Sequence, residues 1–319
     1  MTAHAKIVAL AGGVGGAKMA DGLVQAAGAD HVTVVVNTAD DFVLYGLHIS
    51  PDLDTVLYTL AGIANPVVGW GIDGDTHATL GAVAGYGRDP WFQIGDRDLA
   101  THILRTEALR SGRSLTDLTA DLAAALGVRS PILPMTDDRV ATLIQTPDGP
   151  LEFQDYFVRR RQQDEVVAVD FDGIETANVT DAVRAAIAAA DLIVLCPSNP
   201  IVSIGPMLLL PGLRDALVAA SAPVVAVSPL VGGKALKGPA DGMMTSLGHE
   251  SSAAGVAVLY AGLVDGFVFD SLDADLEPRI AATGMRTLVT EAVMRDAPDR
   301  GRFAEEILAF GLALVRVPA

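Results

Sequence analysis

Cysteine is nearly absent: Cys196 is the single one in 319 residues, so no internal disulfide can form, as expected of a chain in a reducing cytoplasm. Aromatic residues make up only 5%, so the core must be built mainly from Ala, Val, Leu and Ile. Basic residues are scarce, 22 against 39 acidic, giving a net charge of -17. So acidic a chain repels a phosphate backbone and excludes nucleic acid as the expected partner. Its densest basic run, Arg159-Arg160-Arg161, is offset by Asp155, Asp164 and Glu165. No apolar run approaches the roughly 18 residues of a membrane span, and the start, Met1 to Lys6, lacks the pattern of a signal peptide. A soluble, cytoplasmic protein with no membrane partner is expected. The six histidines show no zinc spacing, and no Gly-x-Ser-x-Gly elbow announces a serine nucleophile.

What is present is a recurring unit. Short apolar runs (Ile7–Leu10, Val32–Val36, Leu192–Leu195, Val224–Val227, Gly266–Phe269) each lead into a loop of Gly, Ser, Asn or Asp. Runs apolar throughout suit strands buried on both faces of a parallel sheet. A first helix is predicted over Ala17–Ala27. Strands alternating with helices predict an α/β fold: a doubly wound, mostly parallel, Rossmann-like sheet. The middle differs. Leu99–Leu109 and Leu115–Leu126 pattern as amphipathic helices, and Pro147-Asp-Gly149 joins Val140–Gln145 to Leu151–Phe157 as a hairpin. The expected organisation is a core of 1–64 and 166–319, with 65–165 a mixed helical and hairpin insertion packed on the carboxyl edge of the sheet.

Ligands of such sheets sit outside the carboxyl ends of the strands, where the unusual loops fall. Gly12-Gly-Val-Gly-Gly-Ala-Lys18 lies between the first strand and first helix. It fails the dinucleotide fingerprint and the P-loop pattern, which leaves an anion-binding turn with Lys18 as counter-charge, or simply a tight turn. Asp40 and Asp41 follow the second strand, and Asp52 and Asp54 lie in Ser50-Pro-Asp-Leu-Asp-Thr55. These carboxylates suit Mg²⁺, or else a turn and a helix cap. Capping accounts for Asp52 behind Pro51. Asp54 is then left to face the strand ends at a solvent-reachable edge, where its loss changes stability by no more than about 1 kcal/mol. A second glycine loop, Ser228 to Asp241, carries Lys234 and Lys237, and Pro197-Ser-Asn-Pro200 supplies small polar groups. Asp98, His102 and Arg105 form a charged helix edge.

Taken together these loops resemble one family, the CofD-like transferases of deazaflavin coenzyme (coenzyme F-420) biosynthesis. The matching stretches are Gly12 to Lys18, Asn37-Thr-Ala-Asp-Asp41, Ile49 to Tyr58, Ile94-Gly-Asp-Arg-Asp-Leu-Ala-Thr-His102, Pro134 to Asp138, Phe153-Gln-Asp-Tyr156, Pro197 to Gly205 and Ser228 to Lys234. The resemblance implies a reaction. A guanosine diphosphate-linked three-carbon acid, phospholactyl or phosphoenolpyruvyl, is transferred with Mg²⁺ to the ribityl hydroxyl of 7,8-didemethyl-8-hydroxy-5-deazariboflavin, releasing GMP. It further implies Asp54 as catalytic residue and Asp40 or Asp41 with Asp54 as metal ligands. Gln93 would contact the deazaflavin, and Ser198, Asn199, Gly232, Gly233 and Lys234 the guanosine diphosphate. Gly12, Gly13, Gly15, Gly16, Lys18, Asn37, Asp96 and Arg97 complete the expected substrate-binding set, and a homodimer is the expected assembly. A related family, the gluconeogenesis-factor-like regulators that bind nucleotide sugars, shares the first glycine loop and remains the alternative; a dehydrogenase ranks third.

Overall fold

The structure is a computed structural model that describes residues 4–316. Seven strands form the central sheet among the described residues: β1 Ile7–Ala11, β2 Val32–Val36, β3 Ile132–Pro134, β4 Leu192–Leu195, β5 Val224–Val227, β6 Gly266–Asp270 and β7 Arg286–Thr290. Their order is β7-β6-β5-β4-β1-β2-β3, and every neighbouring pair is parallel. The five apolar runs are all strands of this sheet, as a doubly wound architecture requires. Ile7, Ala9 and Ala11 pack into the core on one face, and Val8 and Leu10 into the core on the other. Side chains alternate across a strand, so both faces must be covered by helices and an uninterrupted apolar run results.

The winding direction changes at β1. The chain runs outward through β2 and β3, then returns to pair β4 on β1's other side, with Leu10 opposite both Val35 and Leu195. Loops leaving β1 and β4 therefore diverge, and a crevice opens between them. On one face α1 (Gly13–Ala27) packs against α2 (Pro51–Leu60) and the carboxyl-terminal α5 (Ala297–Leu312). The helix expected from Ala17 thus begins four residues earlier, so the glycines form its first turn. A Cβ on Gly15 would lie 2.3 Å from the Pro197 carbonyl oxygen. Only glycine lets the helix start so close to the end of β4.

The segment 65–165 contains α3 (Asp98–Arg110), α4 (Leu115–Ala125) and the predicted hairpin, Ala141–Thr146 with Gly149–Glu152. Two features differ from expectation. The hairpin's second strand stops at Glu152, because Asp155–Arg159 winds into a π-helical turn, and its third strand, Ala168–Asp172, lies beyond 165. Residues 65–165 also are not wholly an insertion, since β3 pairs with β2 at the sheet edge. Three residues ending in proline are too short a run to register as a buried strand.

The close approach at Gly15 is testable. Gly15→Ala should lower the melting temperature, by the equivalent of about 1–3 kcal/mol for forced repacking. Thermal denaturation unchanged from wild type would contradict this placement.

Candidate active site

A cavity of about 580 Å³ occupies the crevice. Its floor is the first turn of α1, with Gly12, Gly13, Gly15 and Lys18, facing Ser198 and Asn199 after β4. Ser198 fastens the two loops. Its Oγ accepts the Gly12 N–H at 3.0 Å and donates to the Gly12 carbonyl at 2.9 Å. Lys18 Nζ donates to the Met294 carbonyl at 2.9 Å, and Lys237 Nζ reaches the Val68 carbonyl at 2.7 Å across the cavity mouth. Burial, followed by the charges of Arg300 and Lys237, pushes the Lys18 ammonium pKa down. Gathered cations beside unused helix amides make a site for an anion.

Beneath the glycines lies a buried acidic pair. Asn37, wholly buried after β2, donates from one Nδ2 to Asp40 Oδ2 and to Asp52 Oδ2, each at 3.1 Å. Its Oδ1 accepts the Ala39 N–H at 3.0 Å, which fixes the amide's orientation. Thr142 donates to the other oxygen of Asp40 at 2.9 Å. Burial, and then the Asp52 charge, hold Asp40 well above the usual carboxylate range. Asp52 is pushed up to about 6 by burial, against the hydrogen bonds from Asn37 and the Gly13 N–H. Both acids bind protons more tightly folded than unfolded. The contribution of each to stability is therefore complete at the acid end and lost as pH rises, for Asp52 through about 6. Two like charges here call for a proton or a cation.

Asp54, two residues along α2, faces another way. Arg105 of α3, 1% exposed, forks onto it, Nη1 donating to Oδ2 at 3.0 Å and Nη2 to Oδ1. Arg105 Nη1 also lies 3.3 Å from His102 Nδ1. A guanidinium can only donate, so Nδ1 is the acceptor and the imidazole proton sits on Nε2. That nitrogen points to Asp98 Oδ2 at 3.4 Å. Tyr58 completes the group, its hydroxyl donating to Asp98 Oδ1 at 2.7 Å. Asp54, Asp98 and His102 are close enough to suggest a metal centre. Arg105 argues against one, because it occupies both Asp54 oxygens and fixes the histidine tautomer that cannot ligate through Nε2.

The cavity also has apolar lining, with Ile49, Val68, Trp70, Phe92, Phe153 and Phe157. Phe153 and Phe157 stack with centroids 5.4 Å apart and planes 7° from parallel.

Of the residues expected at the site, the cavity brings together Gly12, Gly13, Gly15, Lys18, Asp40, Asp54, Gln93, Ser198 and Asn199. The others are elsewhere. Gly16 is packed under the loop, where a Cβ would meet Ser198 Oγ and Ala11. Asn37 supports the acids from behind rather than facing the cavity. Asp41 turns to Ser50 Oγ at 2.6 Å and His48 Nε2 at 3.0 Å, beside a second cavity of about 290 Å³ that Asp40 also borders. Asp96 accepts the Ala78 and Thr79 N–H groups at the start of the helix Ala78–Gly85, and Arg97 holds Asp73 and Asp75; both order a loop. Gly232 and Gly233 form a hairpin tip outside the cavity, and Lys234 is 80% exposed and pairs with Asp241 at 3.1 Å. Lys237 lines the cavity in its place.

Sequence reasoning read Asp52 as a cap and gave Asp98, His102 and Arg105 no role at the site. Their spacing on α3 (i, i+4, i+7) puts the last three on one helix face, which is a usable signal. The helix cap is in fact Ser50, and Asp54, expected at a solvent-reachable edge, is buried against Arg105.

Comparison with known proteins identifies the family and the fold. A family model described as 2-phospho-L-lactate transferase CofD matches residues 7–293. The chain is 44% identical over 311 residues to a phosphoenolpyruvate transferase of Streptomyces griseus, spanning 95% of this chain and 97% of that one. It is 39% identical over 302 residues to a 2-phospho-L-lactate transferase of Methanosarcina mazei, spanning 95% and 99%. A solved structure from Bacillus halodurans, a member of the UPF0052 family, shares the fold with a TM-score of 0.65 at 16% identity, covering 96% of this chain and 99% of that chain. No helix among the described residues is long and apolar enough to cross a membrane.

Asp54→Asn leaves the Arg105 charge buried without its counter-charge. Urea denaturation should show a loss of about 3–5 kcal/mol. A loss below about 1 kcal/mol would show that the pair is not buried as described.

Proposed function

The chain belongs to the CofD family and is a transferase, and on that premise we propose that it serves coenzyme F-420 biosynthesis. It would move a phospholactyl or phosphoenolpyruvyl group from a guanosine diphosphate-linked donor to the ribityl hydroxyl of the deazaflavin 7,8-didemethyl-8-hydroxy-5-deazariboflavin, with GMP leaving. The observation that carries this reading is the cavity's mixed lining. It offers helix amides and lysines for a diphosphate, aromatic side chains for a planar ring, and buried carboxylates for a cation.

The donor's diphosphate would lie over the N–H groups of the α1 first turn, with Lys18 and Lys237 as counter-charges. Ser198 holds this floor rigid through Gly12. The acceptor ring would rest among Phe153, Phe157, Phe92 and Trp70, near Gln93. Asp40 and Asp52 fit Mg²⁺, since both are oxygen donors held as a like-charge pair that burial otherwise drives to protonation. Bound there, the ion would neutralise charge on the transferred phosphoryl group. Phosphoryl transfer depends mainly on positioning and neutralisation, and the chain's own contribution is to fix both substrates on rigid strand ends.

Two measurements test this. Calorimetry should show Lys237→Ala weakening GDP binding about tenfold or more, as for a lost charge-assisted contact, and Lys234→Ala changing it less than about twofold. The reverse order would move the phosphate site to the exposed hairpin. Incubation with the deazaflavin, either donor and Mg²⁺, followed by mass spectrometry, should yield GMP and the transferred product one to one, and chelator should abolish both. Nucleotide binding without GMP release would favour a regulator instead.

A further inference from the structure

Four buried carboxylates line the cavity, and their hydrogen bonds divide them. Asp54 has both oxygens occupied by Arg105. Asp40 has one oxygen on Thr142 and the other on Asn37, and Asp52 shares that same amide. Asp98 keeps a carboxylate oxygen, Oδ2, that accepts no hydrogen bond among the described residues, and it stands outside the acidic pair assigned above to the cation while its residue lines the cavity.

Asp98 is also well held. It opens α3, and its own N–H is held by Asp75 Oδ2 at 3.0 Å. Tyr58 anchors Oδ1, and Thr101 Oγ1 lies 2.8 Å from the same phenol oxygen. Burial, then the charges of Asp54 and Asp98, push the Tyr58 phenol pKa upward, so it stays a donor. The His102 tautomer fixed by Arg105 carries its N–H on the Oδ2 side, 3.4 Å away, but makes no hydrogen bond to it. The arrangement keeps the carboxylate from turning and leaves Oδ2 unbonded on a residue that lines the cavity.

We propose that Asp98 Oδ2 is the proton acceptor for the attacking hydroxyl, with Tyr58 and His102 as its positioning residues. The proposal rests on the transfer reaction proposed above. As the hydroxyl oxygen forms its bond to the donor's outer phosphorus, the bond from that phosphorus to the bridging oxygen breaks. GMP leaves with the electron pair, and the hydroxyl proton passes to Asp98. No further reactant is needed. Asp54, the residue implied as catalytic by the family resemblance, then acts by holding Arg105 and through it the histidine.

Asp98→Asn keeps the shape and can still accept the Tyr58 hydrogen bond, but it is a poor proton acceptor. Single-turnover rates should fall about 10²-fold or more, as for loss of a positioned base. Deazaflavin affinity, read by the ring's visible absorbance, should change less than about threefold. Asp98→Ala should lose rate similarly and regain part of it with added formate, which supplies a carboxylate in the vacated space. Should the Asn variant unfold, the formate response of Asp98→Ala decides. A variant that keeps near-normal turnover, or an Ala variant indifferent to formate, overturns the role of Asp98. Wild type that releases no GMP at all overturns instead the reaction on which it rests.

Discussion

A single side-chain amide ties the strand ends together. Asn37 follows β2, its N–H is held by the Ala11 carbonyl at 3.1 Å, and its Nδ2 serves Asp40, Asp52 and the Val202 carbonyl, the last at 3.4 Å. Three loops that diverge at the switch in winding direction are thereby gathered over one point. The cost is two carboxylates buried side by side with one donor between them. Such an arrangement weakens the empty protein above about pH 6 and favours any cation able to replace the missing proton. Its position under the glycine floor explains why the cost is borne here.

The Asp54–Arg105 pair solves a different problem. Buried ion pairs add little net stability over an apolar pair, but breaking one is expensive, so they fix registry. This pair fastens α3 to α2 across the cavity, orients His102, and leaves Asp98 with a free oxygen. Two aspartates only two residues apart on α2 thus take different partners: Asp52 the Asn37 amide and the Gly13 N–H under the glycines, Asp54 the Arg105 guanidinium of α3.

Much of this was legible in the sequence, for identifiable reasons. Strands buried on both faces must be apolar throughout, so five of the seven declared themselves, and the loops that follow them could be placed at one sheet edge. β3 and β7 did not: β3 has three residues, and β7 mixes Arg and Thr with apolar positions at an edge. Residue types at the site were also legible, but their division was not. Whether Asp52 or Asp54 faces the glycines depends on the rotation of α2, which capping statistics do not determine. Lys234 and Lys237 are equivalent in composition. The two-stranded turn Leu230–Ala235 sends one to solvent and the next to the cavity mouth. Asp96 and Arg97 sit in a stretch that matches the family closely, yet their bonds run to the 73–79 loop, so the match there reflects architecture.

The central claim is that Asp40 and Asp52, gathered by Asn37, are the place for the divalent cation. Crystals grown with Mn²⁺, an oxygen-seeking substitute for Mg²⁺ with a usable anomalous signal, test it directly. The account predicts an anomalous peak between the Asp40 and Asp52 carboxylates. A peak instead among Asp54, Asp98 and His102, with Arg105 displaced, would contradict it.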